Sequence, residues 1–240
     1  MKTDRLDKII ASTGKYSRSD VRRLVKSGAV AVNSAVVTDF SLKTEYGANI
    51  TVNGMPLDTS EHIYIMLNKP QGVVSASEGG KDTTVVDILP DALKRKNLFP
   101  AGRLDKDTVG FCLITDDGDF AHRILSPSHH VDKTYIAAVS DPIDFEAAKT
   151  AFAEGVTLAD GTVLLSALLE EINREERKYK VIIREGRYHQ VKRMFASLGT
   201  TVVSLERTAI GGLRLDTSLK RGEARLITSE ELGLIVKNNQ

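Results

Sequence analysis

From residue 63 onward the chain is built from strand-like apolar runs: IYIMLN, FCLITDD, KTYIAAV, KYKVIIRE, TVVSLERTAI and ARLIT. Their length and their β-branched and aromatic content mark them as strands that must find partners in a sheet. Helical patterns intervene only at about residues 84–95, 144–154, 188–198 and 228–232. That is too few for one crossover helix per strand pair, so a doubly wound parallel sheet is excluded. The pattern predicts a mixed α+β body. With 41% hydrophobic residues in a chain of 240, a sizeable core is available, close to the upper size of a single one.

The first fifty-odd residues follow another rule. RLDKIIAST sets Leu6, Ile9 and Ile10 at helical spacing. SRSDVRRLVKSG is a second helix, with Ser17 and Asp20 in the form of a capping box and Gly28 as its stop. Val21, Leu24 and Val25 make its apolar stripe, while Arg18, Arg22 and Lys26 recur every four residues on another face. Short strands follow in AVAVN, AVV and NITVNG, with turn signals at Asn33-Ser34 and Asn53-Gly54. The organisation expected is a small module over residues 1–54, a polar Pro-bearing linker over 55–62 (MPLDTSEH), and a body over 63–240.

Charge separates these parts. The whole chain carries +1, yet residues 1–26 hold eight Lys and Arg against three Asp. A basic arm on a neutral body predicts a polyanionic partner met at one end, and cations along one ridge suit a phosphate backbone. Cys112 is the single cysteine, so no intrachain disulfide can form, which fits a reducing compartment. The start, MKTDRLDKII, lacks an apolar signal core, and no apolar run approaches the roughly 18 residues of a membrane span. A soluble cytoplasmic protein is expected.

Residues 102–110, GRLDKDTVG, crowd two carboxylates and two cations between glycines just before an apolar strand. Asp105, Asp107, Gly110 and Asp116 match four positions of a calcium loop, but Val109 offers no side-chain oxygen and a strand follows where a helix is required. SPSHHVDKTYIAAV (126–139) has a histidine pair without the further ligands a zinc site needs. In EGRYHQVKRMFASLG (185–199), Val191, Met194, Phe195 and Leu198 form a helical stripe ended by Gly199. Lys192 flanks that stripe, where a partly buried ammonium requires a carboxylate. Asp105 with Asp107 could also serve a glycoside hydrolase, a reading that leaves the basic module without a role.

Taken in order, NKPQG (68–72), GRLDKDTVG, KTY (133–135) and GRYHQVKRM (186–194) resemble the motifs of the pseudouridine synthases. Residues 3–54 resemble the S4 RNA-binding domain, and the combination is similar to the small-ribosomal-subunit branch of that family. The fold so implied is α+β, a small S4 domain and a catalytic body with a mostly antiparallel, bent sheet flanked by helices. The resemblance implies that Asp105 is the essential aspartate, that Tyr135 stacks on the target base, and that Lys192 is the basic partner of the aspartate. It implies that Arg103 helps to hold the nucleotide backbone. Lys133, Arg187, His189 and Arg193 are then expected to contact RNA, as are Arg5, Arg18, Arg22, Arg23 and Lys26 in the module. Gly102 and Gly110 would shape the tight backbone, with Asp107 as a turn or cap residue. Val109 and Phe111 depart from the usual residues at their positions, which touches packing and leaves the carboxylate in place.

The reaction so implied breaks N1–C1′, turns the uracil and joins C5 to C1′. It needs no redox partner or group donor, so neither cofactor nor metal is expected. One carboxylate suffices, as nucleophile or base, and a flipped-out uridine needs an aromatic face. The implied partner is ribosomal RNA, 16S RNA or a partly assembled small subunit, with a single uridine at about position 516 as target and a monomeric enzyme. A paralogue acting on large-subunit RNA or tRNA, and a non-catalytic RNA-binding or assembly protein, are the alternatives.

Overall fold

The computed structural model describes residues 2–126, 129 and 131–236. It divides into two compact units, Met1–Ile63 with Asp91–Leu98, and Tyr64–Pro90 with Phe99–Gln240.

In the first unit β1 (Thr3–Arg5) leads into α1 (Leu6–Ser12) and α2 (Arg18–Lys26). There follow β2 (Val30–Val32), β3 (Ala35–Val36), β4 (Lys43–Glu45), β5 (Ile50–Val52) and β6 (Met55–Leu57). Strand β1 pairs with β4, and β3-β2-β5-β6 form a four-stranded antiparallel sheet. Leu6, Ile9, Ile10, Val21, Val25, Val30, Ile50 and Val52 close one core between the helices and the sheet. The Ser17/Asp20 capping box forms in full: Ser17 Oγ accepts the Asp20 N–H, and the Asp20 carboxylate accepts the Ser17 N–H. Both turn signals close hairpins, with positive φ at Asn33, Ser34, Asn53 and Gly54. The expected linker needs correction, because Met55–Leu57 is a strand paired with β5. Its Pro56 is tolerated because β6 is the edge of the sheet.

Residues 84–95 do not form the expected helix. A capping-box arrangement does start at Thr84, whose hydroxyl accepts the Asp87 N–H while Asp87 accepts the Thr84 N–H. Pro90 then bars the residue before it from helical backbone, and the segment runs on as turns. Its end belongs to the first unit, where the Arg95 guanidinium donates to the Glu61 carbonyl at 3.0 Å.

The second unit contains β7 (Tyr64–Lys69), β8 (Phe99–Pro100), β9 (Val109–Thr115), α3 (Gly118–Leu125), β10 (Lys133–Val139), α4 (Phe145–Glu154) and β11 (Leu168–Asn173). It continues through β12 (Lys178–Ile183), α5 (Gln190–Ser197), β13 (Val202–Ile210), β14 (Leu213–Arg214), β15 (Ala224–Leu226) and α6 (Ser229–Ile235). The main sheet runs β11-β12-β10-β13-β9-β7-β15, with β14 on β13 and β8 on β9. Every pairing is antiparallel except β9 with β13. The expected strands form, and α3 and β11 join them unanticipated. DDGD reads as a turn until Asp117 caps Phe120 N–H, and LLEEIN is too charged to signal a strand. Phe152 of α4 and Phe195 of α5 pack against each other, and Phe195 against Tyr179 of β12. On the β7–β9 side Met66, Phe111, Leu113, Phe120 and Ile124 form a second cluster with α3 and α6. No helix among the described residues is long and apolar enough to cross a membrane.

Candidate active site

The parallel contact between β9 and β13 sets the site. Gly110 lies opposite Arg207 with φ of +99°, and a Cβ there would stand 2.3 Å from the Arg207 carbonyl oxygen. Only glycine lets the two strands approach this closely. The loop before β9 is thereby brought beside β10 and β13, carrying Asp105.

Two residues from the neighbourhood of NKPQG hold that loop. Lys69, buried at the end of β7, donates to the carbonyls of Thr108 (2.8 Å), Pro70 (3.1 Å) and Lys106 (3.3 Å). Burial pushes its ammonium down to about 8, and three carbonyl acceptors favour the charged form in return. Ser75 makes a two-way clasp with Leu104, donating to its carbonyl at 3.0 Å and accepting its N–H at 3.1 Å.

Helix α5 supplies the cation. Val191, Met194 and Phe195 face the core, which leaves Lys192 at the flank. Its Nζ lies 3.0 Å from Asp105 Oδ2 and 2.6 Å from Asp107 Oδ1. Lys192 and Asp105 are about a quarter exposed (23% and 26%). Burial works against the Lys192 charge, but hydrogen bonds to Asp107 and Asp105 outweigh it and raise the ammonium. The Lys192 hydrogen bond holds Asp107 below the usual carboxylate range. Asp107 is therefore more than a turn residue: it competes with Asp105 for one ammonium. His189 adds a third contact, Nε2 to Asp105 Oδ1 at 3.4 Å.

Tyr135 comes from β10, 7% exposed, and the Arg207 Nη1 donates to its hydroxyl at 3.5 Å. Arg207 is 2% exposed, with Nε donating to the Phe111 carbonyl and Nη2 buried without a partner. Nothing in TVVSLERTAI marks it as more than a strand residue, since a sequence cannot show which side of a sheet faces a cleft. Lys133, expected to contact RNA, borders the cavity from β10. It is buried, donates to the Val131 carbonyl at 3.0 Å, and burial with Arg207 nearby pushes it down to about 8. Among the described residues Lys69, Lys133 and Arg207 have no carboxylate at ion-pair distance.

Asp105, Tyr135, Lys133, Arg207, Arg187 and His189 border one cavity of about 740 Å³, with Arg103 exposed at its edge. Arg187 is tied to the buried Glu185, Nε to Oε2 at 3.0 Å. Gln190 bonds Glu185 through its amide N–H and accepts the Arg187 N–H, so the loop 185–190 is internally braced. Arg193 is drawn away to Asp160 at 2.5 Å; hydrogen bonds from Thr162 and Arg193 hold that carboxylate at about 2. The histidine pair falls partly outside the described residues, which omit His130.

In the first unit Arg18, Arg22, Arg23 and Lys26 are exposed on α2. Arg5 forms a bidentate pair with the buried Asp7, both contacts at 3.0 Å, and Arg22 approaches the same carboxylate at 3.6 Å. Both guanidinium groups lie over the Phe40 ring, at 5.7 and 5.0 Å. Arg23 pairs with Asp20 at 2.7 Å.

A family model described as RNA pseudouridylate synthase matches residues 63–197, and an S4 domain model matches 4–43. The uncharacterized RNA pseudouridine synthase YtzG of Bacillus subtilis is 43% identical over 96% of this chain and 98% of its own. Ribosomal small subunit pseudouridine synthase A of Escherichia coli (strain K12) is 41% identical over 97% and 100%. A crystal structure of a pseudouridylate synthase aligns with a TM-score of 0.67 and 39% identity, covering 96% of this chain and 99% of that one. The chain belongs to the RNA pseudouridine synthase family, enzymes of the isomerase class. Within it, by similarity along the whole chain, it is of the ribosomal small subunit type, with an S4 domain ahead of the catalytic body.

Proposed function

We propose that this enzyme converts one uridine of small-subunit ribosomal RNA to pseudouridine, with Asp105 as its essential carboxylate. The observation that carries the assignment is the meeting of Asp105 and Tyr135 at one cavity, with the Lys192 ammonium 3.0 Å from the Asp105 carboxylate. A volume of about 740 Å³ admits a nucleotide turned out of its helix. Tyr135 offers the ring on which the uracil rests, and Lys192 fixes the direction of the Asp105 carboxylate. Asp105 opens the reaction at the glycosidic bond. After C5 has joined C1′, the C5 proton leaves and N1 regains one, so the change is an isomerisation with no external reactant.

The exposed cations of α2 hold the RNA by its phosphates, and Arg103 and Arg187 hold the backbone at the cavity. The small-subunit relatives support small-subunit ribosomal RNA as the substrate; that it is 16S RNA, free or in an assembling particle, modified at about uridine 516, follows from the sequence resemblance alone. The single buried cysteine is in keeping with a reducing cytoplasm.

The test is tritium release from unmodified 16S RNA carrying [5-³H]uridine, on naked RNA and on assembly particles. Wild type releases the label and Asp105→Asn releases none. Equal release by both removes Asp105 from the chemistry. No release by wild type from either substrate moves the target to another RNA.

A further inference from the structure

Tyr188 is the one exposed Phe or Tyr among the described residues, at 76%. An aromatic ring left in water is the informative kind of exposure. This one is held in place. Its ring stacks on that of its sequence neighbour His189, with centroids 3.8 Å apart and planes 19° from parallel. Adjacent side chains in a helix or strand point apart, so the stack needs unusual backbone. It has it: His189 is left-handed, φ 49° and ψ 34°, at the residue before α5. The brace of Glu185, Arg187 and Gln190 holds the loop in that conformation.

The stack has a direction. Its inner ring ends 3.4 Å from Asp105 Oδ1, and its outer ring opens to solvent. Both rings border the same cavity as Asp105 and Tyr135. Turning a uridine out of its strand leaves the adjoining bases without a stacking partner. Those bases lie one nucleotide away, at the rim and not inside. We infer that Tyr188 is a specificity residue, stacking on the base of a nucleotide that adjoins the flipped uridine, with His189 as the spacer that sets its distance from Asp105. A flat aromatic surface beside Arg187 and Arg103 is the pairing of ring and cation by which single strands are held. The inference rests on the RNA-isomerase reading of the same cavity, and adds to it a contact outside the reacting nucleotide.

The experiment uses the full-length enzyme and a fluorescein-labelled, unmodified small-subunit RNA fragment. Binding is read by anisotropy and turnover by tritium release, for wild type, Tyr188→Phe and Tyr188→Ala. The same RNA is also made with an abasic nucleotide on one or the other side of the target. Tyr188→Ala is expected to weaken Kd and KM by roughly tenfold with kcat within about twofold, and Tyr188→Phe to match wild type. An abasic neighbour on one side should cost wild type a similar factor and cost Tyr188→Ala nothing further. Equal binding by wild type and Tyr188→Ala, or abasic penalties that add in full on both sides, overturns the inference. Turnover by wild type separately decides the substrate reading, because the anisotropy comparison stands without it.

Discussion

Replacing Lys192 by methionine isolates what its ammonium does for Asp105, since an unbranched side chain of similar length remains while the charge goes. At 3.0 Å the attraction is ~1.4 kcal/mol in water and ~5.5 kcal/mol at an effective dielectric of about 20. Both groups are about a quarter exposed, and desolvation of the pair offsets part of the gain. A loss of ~2–3 kcal/mol of transition-state stabilisation is left, equivalent to roughly 30- to 150-fold in rate. The assay is single-turnover tritium release with enzyme in excess, so that binding does not hide the chemical step. Lys192→Arg should stay within about tenfold of wild type, because charge is kept and shape is not.

Asp107→Asn is the control that makes the argument refutable. Asp107 sits closer to the ammonium than Asp105 does, 2.6 against 3.0 Å. Neutralising it leaves Lys192 to Asp105, and the rate should stay within about threefold of wild type. If Lys192→Met also stays within threefold, the ammonium does not serve the reaction. If Asp107→Asn falls as far as Lys192→Met, Asp107 is the partner that matters and the pairing with Asp105 is incidental.

Lys69→Met should cost about 3 kcal/mol of stability in urea unfolding, because three carbonyls lose a shared donor. Between about 8 and the ordinary 10.5 the unfolded chain binds this proton and the folded chain does not, so Lys69 makes wild type more stable as pH rises through that window; the Lys69→Met variant should lack the rise. Activity should run the other way, falling in a kcat–pH profile above about pH 8 as the neutral amine loses a donor to the Asp105 loop. Gly110→Ala meets the Arg207 carbonyl at 2.3 Å with φ of +99°, and should lower the melting temperature by more than about 10 °C or prevent folding, read by circular dichroism. Changing Arg18, Arg22 and Lys26 together to Ala should flatten log KM against log salt by a slope of about 2, as three fewer phosphates are neutralised.

What the sequence disclosed follows from how far each signal reaches. The capping box at Ser17, the hairpin turns at Asn33 and Asn53, and the apolar runs are decided within a few residues, and they form as local chemistry requires. The segment at 84–95 failed for a local reason too, since Pro90 outweighs an apolar pattern and a sound start at Thr84. Asp105 and Lys192 were legible separately, one by its crowded loop and the other by its place beside a helical stripe. That Lys192 reaches Asp107 as well, and that Lys69 and Ser75 hold the loop, depends on which strands lie side by side.

The same limit applies to two further cations. In sequence Lys133 is expected to contact RNA and Arg207 carries no signal, and neither pattern tells that both are buried, as charged residues seldom are. The sheet places these two at the cleft and Lys69 beneath the Asp105 loop; their hydrogen bonds go to carbonyls and the Tyr135 hydroxyl, and none has a carboxylate at ion-pair distance among the described residues. A carboxylate would neutralise each charge and close the account within the protein. Carbonyl acceptors leave the net positive charge intact and let it act on the cavity through poorly polarisable walls. An anionic strand entering the cleft meets that potential already in place, so part of the cost of burying three cations is returned on binding. On this reading an RNA strand, and not a side chain, would supply the opposite charge.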